Sequence, residues 1–337
     1  MAKIAAFGEV MMRLQVPGYD LLSQSNTLHY TFSGTGVNVA SALTRLGHDG
    51  CLVTTLPENP IGDAAMSFIQ KLGIDLSFTV REGNALGMYF LENGFGPRPS
   101  RVTYSNRLES SFNTASPGIY DVEALASTID AIHFCGIALA MNDTVRQHIT
   151  SLVEAVKAKG GRIIFDCNYR PSLWGENGYK KARPYYEHML THADIVMMNE
   201  KDAMLILGMQ TDETQPHEQL QELIPRVAHH YNISLIAGTH RSIHTNNTHT
   251  LQGYLFKEQS FAFSQPLTFS VYDRIGAGDA FVSGIVHGEY QGFSPEKTIM
   301  FATAAAMLAH TVTGDTPMSS EHDIFQAMTA SLNDVER

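Results

Sequence analysis

Short apolar runs alternate along the chain with segments whose apolar residues recur every three or four positions. The runs are too short for helices, and continuous apolar character is typical of parallel strands that are buried on both faces. We therefore predict six strands of one sheet. They cover residues 4–7, 52–56, 131–135, 162–166, 194–198 and 234–237.

The segments between these runs have the spacing of amphipathic helices. One is predicted over residues 38–46, and another follows Asp143 and ends at Gly160. Ser294 and Pro295 predict a further helix start, because serine caps a helix and proline is tolerated at its first position. Alternating strands and helices predict an α/β fold with a mostly parallel central sheet and helices on both faces.

Two stretches, residues 11–32 and 85–112, interrupt this alternation with mixed polar and aromatic residues that lack a helical period. They predict antiparallel strands set apart from the main sheet, arranged as a small β lid. No linker or internal repeat is evident in the sequence. Residues 1–337 are therefore predicted to form a single domain that carries the lid.

Composition and charge exclude several classes of protein. Hydrophobic residues make up 44% of the chain and charged residues 17%, which favours a globular protein over a disordered one. A formal net charge of −11 argues against nucleic acid or an anionic membrane surface as a partner. The apolar runs are too short for a membrane span or a signal peptide, and the three cysteines lie in or beside apolar runs, as reduced thiols do. We expect a cytoplasmic protein with small-molecule partners.

Residues 276–279, Gly-Ala-Gly-Asp, carry the strongest chemical signal, because they precede a stretch of small residues with helical spacing. Glycines at a helix start let several backbone N–H groups approach one anion, and the helix dipole favours negative charge there. Asp279 would lie in the first turn, ionised near neutral pH and able to accept a proton. This pairing is what phosphoryl transfer to an alcohol requires. The alternative is a loop that only caps a helix.

Other phosphate-binding and metal-binding motifs are missing from the sequence. It has no Walker-type Gly-Lys-Ser/Thr and no Gly-x-Gly-x-x-Gly after the first strand, which argues against P-loop kinases and dinucleotide-binding folds. His240, His244 and His249 lie among threonine and asparagine without zinc-type spacing, so they are predicted to belong to a surface loop.

Several motifs together resemble the ribokinase-like (PfkB) family of carbohydrate kinases, from about residue 8 to about residue 315. The resemblance is carried by residues 33–40 (Ser-Gly-Thr-Gly-Val-Asn-Val-Ala), 45–47, 62, 72–75 and 276–279. Within the family the chain is most similar to kinases of 2-keto-3-deoxygluconate, through residues 87–92, 98–104, 166–174 and 301–315. The segment at residues 166–174 is shared with fructokinase-like members.

The resemblance implies a ribokinase-like layered fold and ATP-dependent phosphorylation of the terminal hydroxyl of a keto-deoxy sugar acid. It implies Mg²⁺ as a cofactor and, as in several relatives, K⁺ as an activating ion. Another sugar kinase of the family, such as a fructokinase, is one alternative. A sugar-binding regulator without catalysis is the alternative from a different class.

The resemblance also implies roles for individual residues. Asp279 matches the catalytic base, and the anion hole is matched by Gly276, Ala277 and Gly278. Positions that hold the sugar acid are matched by Gly34, Asn38, Tyr89, Tyr104, Arg107 and Arg170. Positions near the nucleotide are matched by Asn168, Asn199, Gly238, Gly276 and Gly278. Asp202 or Glu200 matches the position that holds magnesium through a water molecule. Such indirect contact is usual, because bound magnesium keeps several waters.

Three polar residues follow the predicted strand at 162–166. If Asp166, Asn168 and Arg170 continue the strand, alternation places their side chains on one side. Ligands of open α/β sheets bind at the carboxyl ends of strands, so these side chains are predicted to face a ligand. A local salt bridge between Asp166 and Arg170 is the alternative.

Arg13 stands where sugar kinases of this family commonly have an aspartate that binds sugar hydroxyls. An arginine pairs with a carboxylate through two hydrogen bonds, so Arg13 is predicted to bind the acid group of the substrate. The alternative is an arginine that points to solvent.

The lid stretches also predict a homodimer. Small lids often bury apolar residues against a partner subunit, and apolar residues are present there at Met88, Phe90, Phe95 and Phe112.

Overall fold

The computed structural model describes residues 1–245 and 248–329. Its strands are β1 (Lys3–Phe7), β2 (Met11–Gln15), β3 (His29–Ser33), β4 (Asp49–Leu56), β5 (Thr79–Arg81), β6 (Gly87–Glu92), β7 (Arg101–Ser105), β8 (Ala131–Cys135), β9 (Arg162–Asp166), β10 (Ile195–Met197), β11 (Leu235–Ile243), β12 (Thr248–Lys257), β13 (Ser260–Phe263) and β14 (Leu267–Ser270). Its helices are α1 (Thr35–Arg45), α2 (Pro60–Lys71), α3 (Val122–Ala126), α4 (Gly136–Leu139), α5 (Asp143–Ala158), α6 (Pro171–Trp174), α7 (Gly178–Leu190), α8 (Pro216–Tyr231), α9 (Ala277–Gln291), α10 (Pro295–Ala309) and α11 (Glu321–Met328), with a π-helical turn at Asp202–Ile206.

The central layer is one sheet, to which ten of the described strands belong. Its order is β13-β12-β11-β10-β9-β8-β1-β4-β5, and β14 also pairs with β12. All neighbours from β11 to β5 run parallel. Each of the six predicted strands overlaps a strand of this block, so the predicted mostly parallel sheet is confirmed.

Strand β1 shows why helices cover both faces of the sheet. Ile4 and Ala6 belong to one hydrophobic cluster and Ala5 and Phe7 to the other, because successive side chains of a strand point to opposite faces. Helices α1, α2, α9 and α10 contribute to the first cluster, and α3, α5, α7 and α8 to the second. Burial on both sides is the reason that these strands are continuous apolar runs in the sequence.

Side chains that cap helices place two of the predicted starts. The Asn142 side chain accepts a hydrogen bond from the N–H of Val145 at 2.9 Å, and α5 begins at Asp143. Ser294 accepts from the N–H of Lys297 at 3.3 Å, and Pro295 is the first residue of α10. The start predicted from Ser294 and Pro295 is therefore confirmed.

The far edge of the sheet differs from the prediction. Strand β11 continues to Ile243, well past residue 237, because β12 pairs with it along its whole length in antiparallel register. His240 lies in β11 and His249 lies in β12, where it is only 5% exposed. The surface-loop prediction was therefore wrong for these two histidines.

The two lid stretches contribute four of the described strands, which form a second sheet in the order β3-β2-β6-β7. Two of its pairs are antiparallel, but β2 and β6 are parallel, with Arg13 opposite Tyr89. The expectation of antiparallel strands was wrong for that pair. Strands β2 and β6 follow β1 and β5, which belong to the parallel block, so both leave the same edge of the main sheet. That this sheet acts as a lid on a single domain stays a prediction.

Within residues 1–245 and 248–329, no helix has both the length and the apolar character needed to cross a bilayer.

Candidate active site

A cavity of about 750 Å³ lies between the second sheet and the carboxyl ends of the parallel strands. Parallel strands of open α/β sheets place their ligand sites at this edge. From the second sheet and α1 the cavity is lined by Ser33, Gly34, Asn38, Tyr89 and Tyr104. From the strand ends and the start of α9 it is lined by Asp166, Asn168, Arg170, Asn199, Asp202, Gly238, Gly276, Ala277, Gly278 and Asp279. The fold thus brings together around one cavity most of the residues selected from the sequence.

The start of α9 has the properties of an anion hole. Gly276 is its N-cap with φ of 84°, and a Cβ there would collide with the carbonyl oxygen of Asp315. The first N–H groups of any helix lack intrahelical partners, and here no described side chain caps them. A Cβ on Gly278 would meet no described atom within 4 Å. The open space above Gly278 therefore fits a phosphoryl group held by backbone N–H groups.

Asp279 is 8% exposed in the first turn of α9. Burial raises the pKa of its carboxyl to about 7, although a hydrogen bond from Asn38 and the charge of Arg170 both act to lower it. The Asn38 Nδ2 atom donates to Asp279 Oδ2 at 2.7 Å, which orients the carboxylate. The pKa differs from the ordinary value assumed from the sequence, because only the folded chain removes water from this group. A pKa near neutral suits a general base.

Asp166 is the second buried carboxyl group of the cavity. Burial, together with the nearby charge of Asp279, raises its pKa to about 7. No ion pair within 4 Å joins Asp166 to Arg170 among the described residues, so the local salt bridge considered as an alternative is not formed. Arg170 is exposed, and among the described residues its side chain donates to the carbonyl of Tyr169 alone, at 3.2 Å. Its charge is available to a ligand.

Two predicted substrate arginines lie outside the main cavity. Arg107 donates from Nε to Glu9 Oε2 at 2.8 Å, and its guanidinium lies 4.7 Å from the ring centre of Tyr104. It lines a small adjoining pocket of about 50 Å³ that shares Gly34 and Tyr104 with the cavity. Its Nη1 atom is buried and has no hydrogen-bond partner among the described residues.

Arg13 requires a correction. It is 1% exposed and does not line the cavity, so neither substrate contact nor exposure to solvent describes it. It donates to Asp273 at 2.7 Å and also to Asp315. Both carboxylates are buried, and a guanidinium that faces both of them is not free to pair with a ligand.

Asn168 and Asn199 follow the ends of β9 and β10, Gly238 lies within the neighbouring β11, and all three line the cavity. Of the two candidate metal residues, Asp202 lines the cavity, whereas Glu200 is 3% exposed and bonds to His240 at 3.0 Å. Burial raises the pKa of Asp202 to about 6. The geometry therefore favours Asp202 over Glu200.

Sequence reasoning missed two cations on the cavity wall, Arg241 and Arg274. Neither has an ion-pair partner in the part of the chain that the structure describes. Burial lowers the pKa of Arg241, and the charge of Arg274 adds to that effect, so the two like charges lie close together. Arg274 precedes Gly276 by two residues and could have been suspected from the motif, whereas the position of Arg241 depends on the extension of β11.

The sequence profile described as pfkB family carbohydrate kinase matches residues 1–322. The chain belongs to this family. Its resemblance to the family, its α/β fold and its activity as a carbohydrate kinase are thereby confirmed. The alternative of a regulator without catalysis has no support.

Relatives of the kinase match it over nearly its whole length. A 2-dehydro-3-deoxygalactonokinase from Haloferax volcanii is 25% identical and covers 100% of this chain and 99% of its own. A solved structure from Enterococcus faecalis, described as a candidate 2-keto-3-deoxygluconate kinase, is 37% identical with a TM-score of 0.95, over 100% of this chain and 99% of that one. The structure of a 2-dehydro-3-deoxygluconokinase from Thermotoga maritima is 30% identical with a TM-score of 0.93, over 98% of this chain and 100% of that one.

The first prediction concerns Asp279 in the kinase. Asp279→Asn should lower turnover about 100- to 10,000-fold, because the amide cannot accept the proton of the attacking hydroxyl. In the wild type, kcat/KM should fall as the pH drops below about 7, since protonation removes the base and burial has raised the Asp279 pKa to that value.

Steady-state rates and a pH profile would check this. Asp143→Asn is the matched control, because Asp143 is also in the first turn of a helix but is exposed and lines neither the cavity nor the adjoining pocket. The assignment is wrong if Asp279→Asn keeps half of the wild-type turnover, or if the acid limb lies near pH 4.

The second prediction concerns the anion hole. Gly278→Ala should leave the melting temperature near that of the wild type, because no described atom approaches the new methyl group. The same methyl group should occupy the phosphate space and weaken nucleotide binding at least about tenfold, a loss of about 1.4 kcal/mol.

Gly276→Ala is the contrasting variant. It should be destabilised, because its backbone has a positive φ and its Cβ collides with Asp315. Calorimetry of unfolding and of nucleotide binding would separate the two variants, and unchanged nucleotide affinity in Gly278→Ala would contradict the assignment of the anion hole.

Proposed function

We propose that this carbohydrate kinase transfers the γ-phosphoryl group of ATP to the terminal hydroxyl of 2-keto-3-deoxygluconate. The observation that carries the proposal is the combination, in one cavity, of the anion hole at Gly276–Gly278, the buried base Asp279 and Arg170, a cation with no ion-pair partner among the described residues. A neutral sugar has no negative charge to pair with such a cation, whereas a sugar acid has a carboxylate that pairs with it. The names of the relatives from Haloferax volcanii and Thermotoga maritima agree with an acidic keto sugar.

In the proposed reaction, Asp279 accepts the proton of the sugar hydroxyl while the hydroxyl oxygen bonds to the γ-phosphorus. The bond between the γ-phosphorus and the bridging oxygen breaks, and ADP leaves. The N–H groups at the start of α9 stabilise the charge on the transferring group, which is where electrostatic catalysis acts most strongly. The sugar acid would be held by Gly34, Asn38, Tyr89, Tyr104 and Arg170, with Arg107 at the adjoining pocket.

The positive charges of Arg241 and Arg274 on the cavity wall support ATP as the phosphoryl donor. Arg241 and Arg274 are two like charges without a described carboxylate partner, and a polyanion would relieve their repulsion. Asn168 and Asn199, which follow β9 and β10, and Gly238, which lies within β11, line the same cavity. These residues form the proposed nucleotide side of the cavity.

The residues present also fit magnesium. Asp202 offers a carboxyl group whose pKa burial has raised to about 6, and a nearby cation would favour its charged form. The described residues contain no group of three or more His, Cys, Asp or Glu that could hold a metal directly. Magnesium commonly keeps several waters, so one carboxylate would suffice. The ion would neutralise charge on the phosphate chain.

The third prediction tests the substrate. The ratio of kcat/KM for 2-keto-3-deoxygluconate to that for fructose should be well above one. Arg170→Ala should raise KM for the keto acid about 10- to 150-fold, the usual range for a lost hydrogen bond to a charged group, and leave KM for ATP near wild type.

Arg183→Ala serves as the control, because Arg183 pairs with Glu187 on the exposed side of α7. A ratio below one would favour the fructokinase alternative. A single-turnover assay with ATP and magnesium that forms no sugar phosphate would leave only a binding role.

The fourth prediction concerns ions. Chelation of magnesium by excess EDTA should abolish turnover, and Asp202→Asn should raise the magnesium concentration needed for half-maximal rate. Glu200→Gln is the comparison, since Glu200 bonds to His240 and should matter less to the metal. Activity that persists in EDTA would refute the requirement. We also propose activation by K⁺, and an equal rate in potassium-free buffer would remove it.

The fifth prediction is a homodimer formed through the second sheet. Tyr30 pairs with Leu14, and Leu14 pairs with Phe90, so these side chains lie on one face together with Met88, on the side away from Tyr89. Tyr30 is 61% exposed and Phe95 63% exposed, which leaves apolar surface for a second copy. Phe112 takes no part, because it is 2% exposed and packs on Phe7.

Light scattering at micromolar concentration should give the mass of two chains, and Phe90→Asp should give the mass of one. A wild-type mass of one chain would rule out the dimer.

A further inference from the structure

Arg13 is buried, and it connects the second sheet to the two loops that carry Asp273 and Asp315. It lies on β2 of the second sheet, and its partners Asp273 and Asp315 lie in the loops before α9 and after α10. The Arg13 and Asp273 side chains meet at 2.7 Å, and the side chains of all three residues are at most 5% exposed. Such a cluster holds its members in one arrangement, because each charge depends on the others for its solvation.

The two aspartates shape the loop that leads into the anion hole. Asp273 Oδ1 accepts from the N–H groups of Arg274 at 2.7 Å and Ile275 at 3.2 Å, and its Oδ2 accepts from Gly314 at 3.3 Å. The carbonyl oxygen of Asp315 lies against the Cα of Gly276, where it leaves no room for a side chain. The positions of Asp273 and Asp315 therefore determine where the turn at Gly276 lies.

The other end of the cluster reaches the proposed sugar side. Tyr89, opposite Arg13 in the parallel register of β2 and β6, lines the cavity and donates its hydroxyl hydrogen bond to the Asp315 carboxylate. The same hydroxyl lies 3.0 Å from Ser33 Oγ. A continuous path of hydrogen bonds thus runs from the cavity face of the second sheet to the anion-hole loop.

We propose that Arg13, Tyr89, Asp273 and Asp315 form a coupling network, through which a sugar acid bound against the second sheet increases the affinity of the anion hole for nucleotide. By linkage, nucleotide must increase the affinity for the sugar acid by the same factor. Arg13 is a positioning residue in this network, because it acts through the two aspartates and touches neither ligand. The inference rests on the proposed function for the identity of the sugar acid.

The test measures the dissociation constant of ADP by calorimetry, with and without saturating 2-keto-3-deoxygluconate. The ratio of the two constants is the coupling factor, expected to be at least about fivefold in the wild type, the lower end of ordinary allosteric coupling. Arg13→Lys keeps the charge but has no planar fork to bridge two carboxylates, so its factor should fall to within about twofold of one. Tyr89→Phe removes only the hydroxyl and should do the same.

A matched control is Arg146→Lys, because Arg146 also pairs with an aspartate, Asp143, but lies on α5 away from both pockets. It should keep the wild-type factor. A purely structural role for the network would lower the melting temperature of Arg13→Lys and leave the ratio unchanged. If Arg13→Lys does not fold, Tyr89→Phe alone decides.

Two results would overturn the network: a wild-type factor near one, or a factor in Tyr89→Phe and Arg13→Lys equal to that of the wild type. Failure of the proposed function has a different appearance, since the wild type would then bind ADP but show no heat with 2-keto-3-deoxygluconate. In Arg13→Ala, millimolar guanidinium chloride should restore part of the factor, because the free ion can occupy the vacated position between the two carboxylates.

Discussion

Asp279 is buried in the first turn of α9, and the chemistry available in the cavity depends on that burial. Desolvation raises the pKa of the carboxyl to about 7, while Asn38 and Arg170 favour its charged form. The balance produces a base that is substantially ionised near neutral pH yet basic enough to accept a proton. It requires α1 to deliver Asn38 and the end of β9 to deliver Arg170, so the base is a product of three separate elements.

The arginines of the molecule divide by burial and pairing. Arg13 and Arg107 are almost fully enclosed and each faces buried carboxylates. Arg170, Arg241 and Arg274 are exposed on the cavity wall and lack such partners in the described part of the chain. A buried guanidinium needs a counter-charge within the protein, whereas an exposed one at a concave wall keeps its charge for a ligand. The arginines thus separate into a buried group that faces carboxylates and a cavity-wall group whose charges have no described carboxylate partner.

The predicted parts of the fold are those decided by local sequence. Apolar runs buried on both faces located the parallel strands, and the cap at Ser294 located the start of α10. The antiparallel edge formed by β12, β13 and β14 was not predicted, because it depends on pairing: β12 pairs with β11, and β13 and β14 pair with β12. The parallel pairing of β2 with β6 was also missed, because it follows from the direction in which both strands leave the main sheet.

The sequence by itself determined the family, and it located the predicted anion hole and base, because four consecutive residues at a helix start carry that chemistry wherever the helix is placed. The tertiary structure alone decided the pKa of Asp279 and the role of Arg13. The partners of Arg13 are 260 and 302 residues away along the chain, and Asn38, which bonds to Asp279, is 241 residues away from it. Charge partners and solvation depend on proximity in space, which no local pattern of residues contains.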